Sequence, residues 1–170
     1  MVRVVATLGV ISDTHGLLRP EARAALAGVD RIIHAGDVDD RQTLRWLAMM
    51  GEVTAVRGNC DRGSWSSALP DHDLVTVEGF GIYVVHDLAQ ITVDPKAAGI
   101  SVVVCGHTHQ PRNEMVDGVL YFNPGSAGPG RYGRPVSLGK LHVGPGGVSG
   151  EIIVLADAAT SFRPPPRNRW

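Results

Sequence analysis

The first third of the chain alternates short runs of apolar, β-branched residues with segments of helix-forming residues. Continuous apolar runs are typical of strands buried on both faces, and here they cover residues 8–12, 31–34 and 52–56. The helix-forming segments are residues 21–27 and 41–50. Pro20 and Gly28 are placed to begin and end the first helix, and Asp39 or Asp40 to cap the second. This order of elements predicts a parallel sheet with right-handed crossovers.

From residue 71 the pattern changes to short strands joined by tight turns. Glu78-Gly79 and Asp117-Gly118 are turn sequences that join neighbouring runs into hairpins. The predicted strands are 73–77, 81–85, 101–105, 113–116 and 119–122, with two more within 136–143 and 151–155. We therefore expect an antiparallel or mixed second half and, for the whole chain, an α/β fold of two packed mixed β-sheets flanked by helices.

Composition fits one globular domain. The chain has 170 residues, 44% of them hydrophobic and 19% charged. We place the domain at residues 1–155 and expect the Pro- and Arg-rich residues 156–170 to be a flexible tail. The net charge of -1 argues against a broad basic face, so no nucleic-acid partner is expected.

The compartment is predicted from cysteine usage and hydropathy. Cys60 and Cys105 are too few for a secreted disulfide framework. The chain has no run of about eighteen apolar residues, the length of a membrane-spanning helix. We expect a cytoplasmic protein with no membrane partner, and the sequence leaves its oligomeric state open.

Polar residues follow five of the predicted strands at the point where each strand ends. They are Asp13 and His15, Asp37, Asn59, His86, and His107 with His109. The carboxyl ends of strands converge on one crevice in open α/β sheets, so these side chains are expected to meet there. Taken singly, an Asp after a strand is most often a turn former or helix cap, and a lone His is most often a packed one. Seven ligand-type residues at five strand ends together indicate a metal site.

The same blocks resemble those of the calcineurin-like metallophosphoesterases. The matching segments are Asp13-Thr-His15, Gly36-Asp37-Val-Asp-Asp40, Gly58-Asn59, His86 and Gly106-His107-Thr-His109, in the same order. The short chain, Gly-Asn-Cys-Asp at 58–61 and Asn123-Pro-Gly-Ser126 resemble the small bacterial and archaeal phosphodiesterase branch of that superfamily.

The resemblance implies a ligand set for two divalent transition-metal ions. Asp13, His15 and His109 would bind one ion, and Asn59, His86 and His107 the other. Asp37 would bridge both ions. Mixed oxygen and nitrogen ligands favour Mn, Fe, Co, Ni or Zn over calcium, and we expect Mn. The implied reaction is hydrolysis of a small phosphodiester substrate by a hydroxide that bridges the two ions, with Asp37, Asn59 and His86 as catalytic residues.

Two positions depart from the family pattern. Cys60 stands where many members have a histidine that helps to protonate the leaving group, and its thiol is a poorer proton donor. Asp87 stands where the family commonly has Gly, which bears on the loop around His86. Arg131 and Arg134 lie in a Gly-rich segment and are candidates for gripping a substrate phosphate, although arginines on a solvated loop are the commoner case.

Two other kinds of function compete with a phosphodiesterase. A eukaryotic retromer scaffold subunit resembles this fold and acts through protein contacts, but such scaffolds can lose metal ligands, and every ligand type is present here. A phosphomonoesterase or nuclease is the other alternative. A nuclease would use an extended basic groove or aromatic stacking strips, and aromatic residues are only 5% of this chain.

Overall fold

The computed structural model describes residues 4–156, which form ten strands and two α-helices. In the first half lie β1 (Ala6–Ile11), α1 (Pro20–Ala25), β2 (Arg31–His34), α2 (Arg41–Ala48), β3 (Glu52–Ala55), β4 (His72–Val77) and β5 (Phe80–Val85). In the second half lie β6 (Ile100–Val104), β7 (Arg112–Val116), β8 (Val119–Asn123), β9 (Val136–Gly144) and β10 (Gly147–Ala156). One-turn 3₁₀ helices cover Ser66–Ala68 and Leu88–Gln90.

The strands form two mixed sheets of five strands each. The first sheet has the order β10-β9-β1-β2-β3, and β1, β2 and β3 run parallel as predicted. β9 joins it antiparallel to β1, and β10 pairs antiparallel with β9. The second sheet has the order β4-β5-β6-β8-β7, with parallel pairs in its centre and antiparallel hairpins at its edges. The prediction of two packed mixed sheets is confirmed.

The main core lies between the two sheets. Its buried side chains include Val10 and Ile33 from the first sheet and Val84, Val104 and Phe122 from the second. Burying a side chain of this kind contributes roughly 1.5–3 kcal/mol. This packing holds the carboxyl ends of β1, β2, β5 and β6 in fixed positions, so the loops that follow them meet above one end of the core.

The helices flank only the first sheet. Leu26 directly follows α1, and Leu47 lies in the last turn of α2. Both leucines pack with Ile11 and Ile32 of the first sheet. The outer face of the second sheet is covered instead by Leu88 and Ile91 of the segment after β5. That segment contains Asp87, Asp94 and Pro95, turn-forming residues that favour short turns over a long helix. The predicted helices thus lie against the first sheet, while a loop segment covers the second.

β10 begins at Gly147, four residues before the predicted strand at 151. The glycine at 150 interrupts the apolar pattern, but a Cβ there would lie 2.6 Å from the ring of Phe122. The strand therefore has Gly150 because the Phe122 ring packs directly on its backbone. Ala156 ends β10, and the remainder of the predicted flexible tail, 157–170, lies outside the described residues.

Within residues 4–156 the structure contains no helix with the length and apolar character needed to cross a bilayer.

Candidate metal centre

The loops after β1 and β2 are joined to each other by backbone hydrogen bonds. Asp13 N donates to Gly36 O (3.0 Å), and His15 N donates to Asp37 O (3.1 Å). On the other sheet, Gly106 N donates to His86 O (3.0 Å). The loops that follow the strands therefore converge, as predicted, and backbone hydrogen bonds hold them together.

Several site residues hold left-handed backbone conformations that side chains other than Gly rarely adopt. The φ angles are 53° at Asp13, 46° at His15, 53° at Asp37, 66° at His107 and 57° at His109. Each such residue costs on the order of 1–3 kcal/mol and persists only where the surroundings enforce it. The surrounding fold therefore holds these residues in unfavourable backbone conformations that direct their side chains towards one point.

Asp13, His15 and His109, which we call the first set, bring three donor atoms together. His109 Nε2 lies 3.2 Å from Asp13 Oδ1 and 3.5 Å from His15 Nε2. Asp13 is fully buried, and its Oδ1 has no hydrogen-bond partner among the described residues. A buried carboxylate oxygen without a donor is costly. A cation between Asp13, His15 and His109 would satisfy it.

The second set consists of Asn59, His86 and His107, and both imidazoles contact the side-chain oxygen of Asn59. Asn59 Oδ1 lies 3.1 Å from His86 Nε2 and 3.0 Å from His107 Nδ1. His86 is buried, whereas Asn59 and His107 are exposed. The second set is therefore the side of the centre that solvent and a substrate can reach.

Asp37 lies between the two sets. Its Oδ1 accepts a hydrogen bond from the Cys60 backbone N–H (2.8 Å), which leaves Oδ2 facing the centre. Asp37 Oδ2 is 4.0 Å from His15 Nε2 and 3.4 Å from His86 Nε2. Burial by itself would raise the pKa of Asp37, but the hydrogen bonds from His86 and Cys60 outweigh it and hold the pKa below its ordinary value. Asp37 is thus an ionised carboxylate with one oxygen facing both sets.

Two of the imidazoles are oriented by acceptors behind them. His86 Nδ1–H donates to Ala35 O (2.7 Å), and His15 Nδ1–H donates to Asp39 Oδ2 (2.8 Å). Both Nε2 atoms therefore face the centre, which is how metal-binding histidines are commonly fixed. Burial would lower the pKa of His86, but Asp37 and then Asp13 outweigh it and raise the pKa. The position next to His86 Nε2 therefore favours positive charge, whether a proton or a metal ion.

All seven predicted ligand residues meet at this centre. Within the described residues, three groups have potential ligand atoms within 4.8 Å of one another: Asp13 with His15 and His109, His15 with Asp37 and Cys60, and Asp13 with Asp37 and His86. The first group is the predicted first set, whereas the other two combine residues of both sets with Asp37 or include Cys60. The assignment of each residue to an ion stays a prediction. The donor set and the orphaned Asp13 oxygen fit a transition-metal centre.

Sequence reasoning gave no supporting role to Asp61 and did not pair Asp39 with His15. Asp61 accepts hydrogen bonds from Gly58 N (2.8 Å) and Asp39 N (2.7 Å), so it ties the loop after β3 to the loop after β2. Ser12 Oγ donates to Asp13 Oδ2 (2.6 Å). The sequence shows that further Asp and Ser residues lie next to the predicted ligands, but it does not show which groups they bond.

Other residues singled out from the sequence have identifiable neighbours. Asp40 caps α2 by accepting from Gln42 N (2.9 Å), while Asp39 bonds His15. Asp87 accepts from Ala89 N (3.0 Å), and its Oδ2 lies 3.9 Å from His107 Nε2. Burial, followed by the Asp37 carboxylate, raises the pKa of the Cys60 thiol to about 11.

Comparisons with known proteins agree with this geometry. The sequence profile of the calcineurin-like phosphoesterase superfamily domain matches residues 7–145. A probable metallophosphoesterase of Methanocaldococcus jannaschii is 35% identical over an alignment of 132 residues that covers 70% of this chain and 67% of the relative. A phosphodiesterase of the same organism is 27% identical over 137 residues, covering 69% of this chain and 82% of the relative.

A solved structure of a protein that is not named as a phosphoesterase has the same fold. Vacuolar protein sorting 29 from Cryptosporidium parvum superposes with a TM-score of 0.72 over 91% of this chain and 100% of its own, at 18% identity.

Proposed function

The chain belongs to the calcineurin-like phosphoesterase superfamily, and from that membership we propose that it is a phosphodiesterase that hydrolyses small phosphodiesters with two bound divalent transition-metal ions. The observation that carries the proposal is the position of Asp37 Oδ2, which faces His15 of the first set and His86 of the second. A carboxylate between two ligand sets is the arrangement that two-metal phosphoester hydrolysis uses. The relatives named as phosphodiesterases support the choice of diesters.

The residues of the chain have separate tasks in this proposal. Asp13, His15 and His109 would hold one ion in the buried half of the centre, and Asn59, His86 and His107 the other in the exposed half. Bound divalent ions supply a nucleophilic water at neutral pH and neutralise charge on the phosphoryl oxygens. Asp39 and the Ala35 carbonyl keep His15 and His86 aimed at the centre. The ester enters beside Asn59 and His107, which are exposed. Manganese is the proposed native metal, since the donors are oxygen and nitrogen atoms.

Metal content and turnover together test the proposal. Protein loaded with Mn²⁺ and desalted is expected to hold two ions per chain by elemental analysis and to hydrolyse bis(4-nitrophenyl) phosphate faster than 4-nitrophenyl phosphate. Asp37→Ala is expected to lose both ions and all activity. Asn59→Ala is expected to keep the ion of the first set and a residual activity. Asp94→Ala is the matched control, because Asp94 only caps a turn before β6, where it accepts from Lys96 N (3.0 Å).

The outcomes separate the proposed function from its alternatives. Full metal retention in Asp37→Ala would contradict the bridging role. Faster turnover of the monoester would favour a phosphomonoesterase. Two bound ions without hydrolysis of either ester would overturn the proposal and favour a scaffold, the alternative with which the fold of vacuolar protein sorting 29 is compatible.

A further inference from the structure

The segment 126–134 after β8 is anchored at its base to the metal centre. Ser126 Oγ donates to Asp13 O (2.9 Å), and Ala127 N donates to Ser12 O (3.1 Å). The Arg19 guanidinium donates to Gly128 O through Nε (3.3 Å) and Nη2 (3.2 Å). The tip of this segment, residues 131–134, therefore stands at the edge of the first set.

An aromatic ring is exposed at this tip. Tyr132 is 75% exposed, with φ 59°, and its ring lies edge to face with His109 at a centroid distance of 5.7 Å. The Arg134 guanidinium lies over the Tyr132 ring at 5.8 Å from its centroid, and Arg134 N donates to Arg131 O (3.2 Å) to close the turn. A left-handed, solvent-exposed tyrosine costs stability without burying apolar area, which is typical of residues kept for binding.

The tip of the segment is positively charged. Residues 126–136 contain Arg131 and Arg134 and no acidic residue. Among the described residues, neither arginine forms a salt bridge. The positive charge beside Tyr132 is therefore not neutralised by an acidic side chain within residues 4–156.

We infer that Tyr132 is a stacking platform that selects phosphate esters carrying a planar aromatic group. This inference rests on the proposed phosphoesterase function and names the substrate class for that site. Stacking of a planar base on an aromatic side chain is favourable and tolerant of the identity of the base, because every aromatic group has a π-face. The segment acts as a specificity determinant, whereas the metal ligands determine the reaction.

The experiment compares substrates that share a leaving group and differ only in the second ester group. Methyl 4-nitrophenyl phosphate and phenyl 4-nitrophenyl phosphate both release 4-nitrophenolate, so the ratio of their kcat/KM values measures recognition of the phenyl group. The wild type is expected to prefer the phenyl ester. Tyr132→Ala is expected to reduce that preference roughly 5- to 100-fold. Tyr132→Asn removes the ring while tolerating the left-handed backbone, so it should reduce the preference equally.

Two further variants separate stacking from a structural effect. Tyr132→Phe keeps the ring and is expected to restore the preference. Trp46→Ala is the matched control, because Trp46 is a 41% exposed aromatic with the Arg23 guanidinium 5.3 Å from its centroid, but on α2. The Trp46→Ala preference should equal that of the wild type. The platform would be overturned if Tyr132→Ala and Tyr132→Asn kept the wild-type preference. It would also be overturned if the wild type hydrolysed the methyl and phenyl esters equally well.

A binding measurement keeps this test separate from the proposed function. Calorimetric titration of the metal-loaded protein with phenylphosphonate and methylphosphonate measures the same recognition without turnover. A preference for phenylphosphonate that Tyr132→Ala abolishes supports the platform even where the wild type hydrolyses neither ester, an outcome that would refute only the proposed function. Equal affinity of the wild type for both phosphonates would refute the platform itself.

Discussion

Cys60 lies at the centre with both its backbone N–H, which bonds Asp37, and its Sγ, which is within 4.8 Å of potential ligand atoms of His15 and Asp37. Its N–H donates to Asp37 Oδ1, which directs Asp37 Oδ2 to the two ligand sets. Burial and the neighbouring carboxylate raise the pKa of its thiol to about 11, so the thiol is neutral at pH 7 and holds its proton tightly. A general acid is most effective when its pKa is near the working pH. A structural part for Cys60, through its backbone donor to Asp37, is therefore our prediction.

Substitution of Cys60 should separate substrates by leaving group. Cys60→Ser keeps the backbone donor and should change the hydrolysis of an activated aryl diester little. Cys60→His introduces a side chain with a pKa near neutrality and should accelerate alkyl diesters most, because a positioned general acid is typically worth about 10²- to 10⁴-fold. The measurement is kcat/KM for one aryl and one alkyl diester. Loss of turnover in Cys60→Ser at unchanged metal content would show that the thiol itself takes part.

The donor atoms of the centre were visible in the sequence because their residue types are unusual at strand ends. Seven such residues in five blocks specify a ligand set before any coordinates. Asp39 was considered only as a possible helix cap and Asp61 was given no role, since an aspartate that bonds an imidazole or two backbone N–H groups has the same letter as one that caps a helix. Their roles depend on distances between loops, which a single sequence does not record.

The loops between elements set the position of Asp37. A Cβ added at Gly58 would lie 2.1 Å from Asp37 Oδ1 and 2.2 Å from Asp37 N. Only a glycine lets the loop after β3 approach the loop after β2 this closely. The Gly-Asn pair of this block therefore combines a close backbone approach at Gly58 with a ligand-type side chain at Asn59.

Gly58→Ala should disrupt the metal centre because the new methyl group must displace Asp37. We expect destabilisation of about 1–3 kcal/mol from overpacking, and loss of bound metal. Gly51→Ala is the matched control, since a Cβ at Gly51 meets no atom within 4 Å. Its stability should stay within about 0.5 kcal/mol of the wild type. Denaturant unfolding and elemental analysis measure both effects, and wild-type metal content in Gly58→Ala would refute the steric argument.

At the scale of elements, apolar runs and turn pairs predicted most strands well. β2 has the predicted bounds, and the turn pair Asp117-Gly118 joins β7 to β8 as predicted. The start of β10 was missed because Gly150 is explained only by contact with Phe122 from another strand. The addition of β9 to β1 was equally invisible, because periodicity shows which residues form a strand and not which strand it pairs with.

At the scale of the whole molecule, a fully buried histidine links folding to pH. His34 Nδ1 accepts from Gly36 N (3.2 Å), so the proton is on Nε2, which donates to Thr14 Oγ1 (3.0 Å). Burial lowers the pKa of His34 to about 4, although the Asp13 carboxylate acts in the opposite direction. The imidazole is therefore neutral in the folded protein and joins the backbone after β2 to the loop after β1.

The stability of the metal-free protein should fall as the pH decreases from about 6.5 to about 4. In that interval the unfolded chain protonates His34 at its ordinary pKa of about 6.5, whereas the folded protein does not, so protons favour unfolding. The loss of stability caused by His34 is zero above this interval and reaches about 3 kcal/mol at its lower end.

The test uses His34→Asn, whose side chain can still accept a hydrogen bond from Gly36 N but does not titrate. Urea unfolding of both proteins with a chelator present, from pH 7 to pH 4.5, should show a steeper loss of stability in the wild type, by up to about 1.4 kcal/mol per pH unit. Equal slopes would show that His34 is protonated alike in the folded and unfolded states.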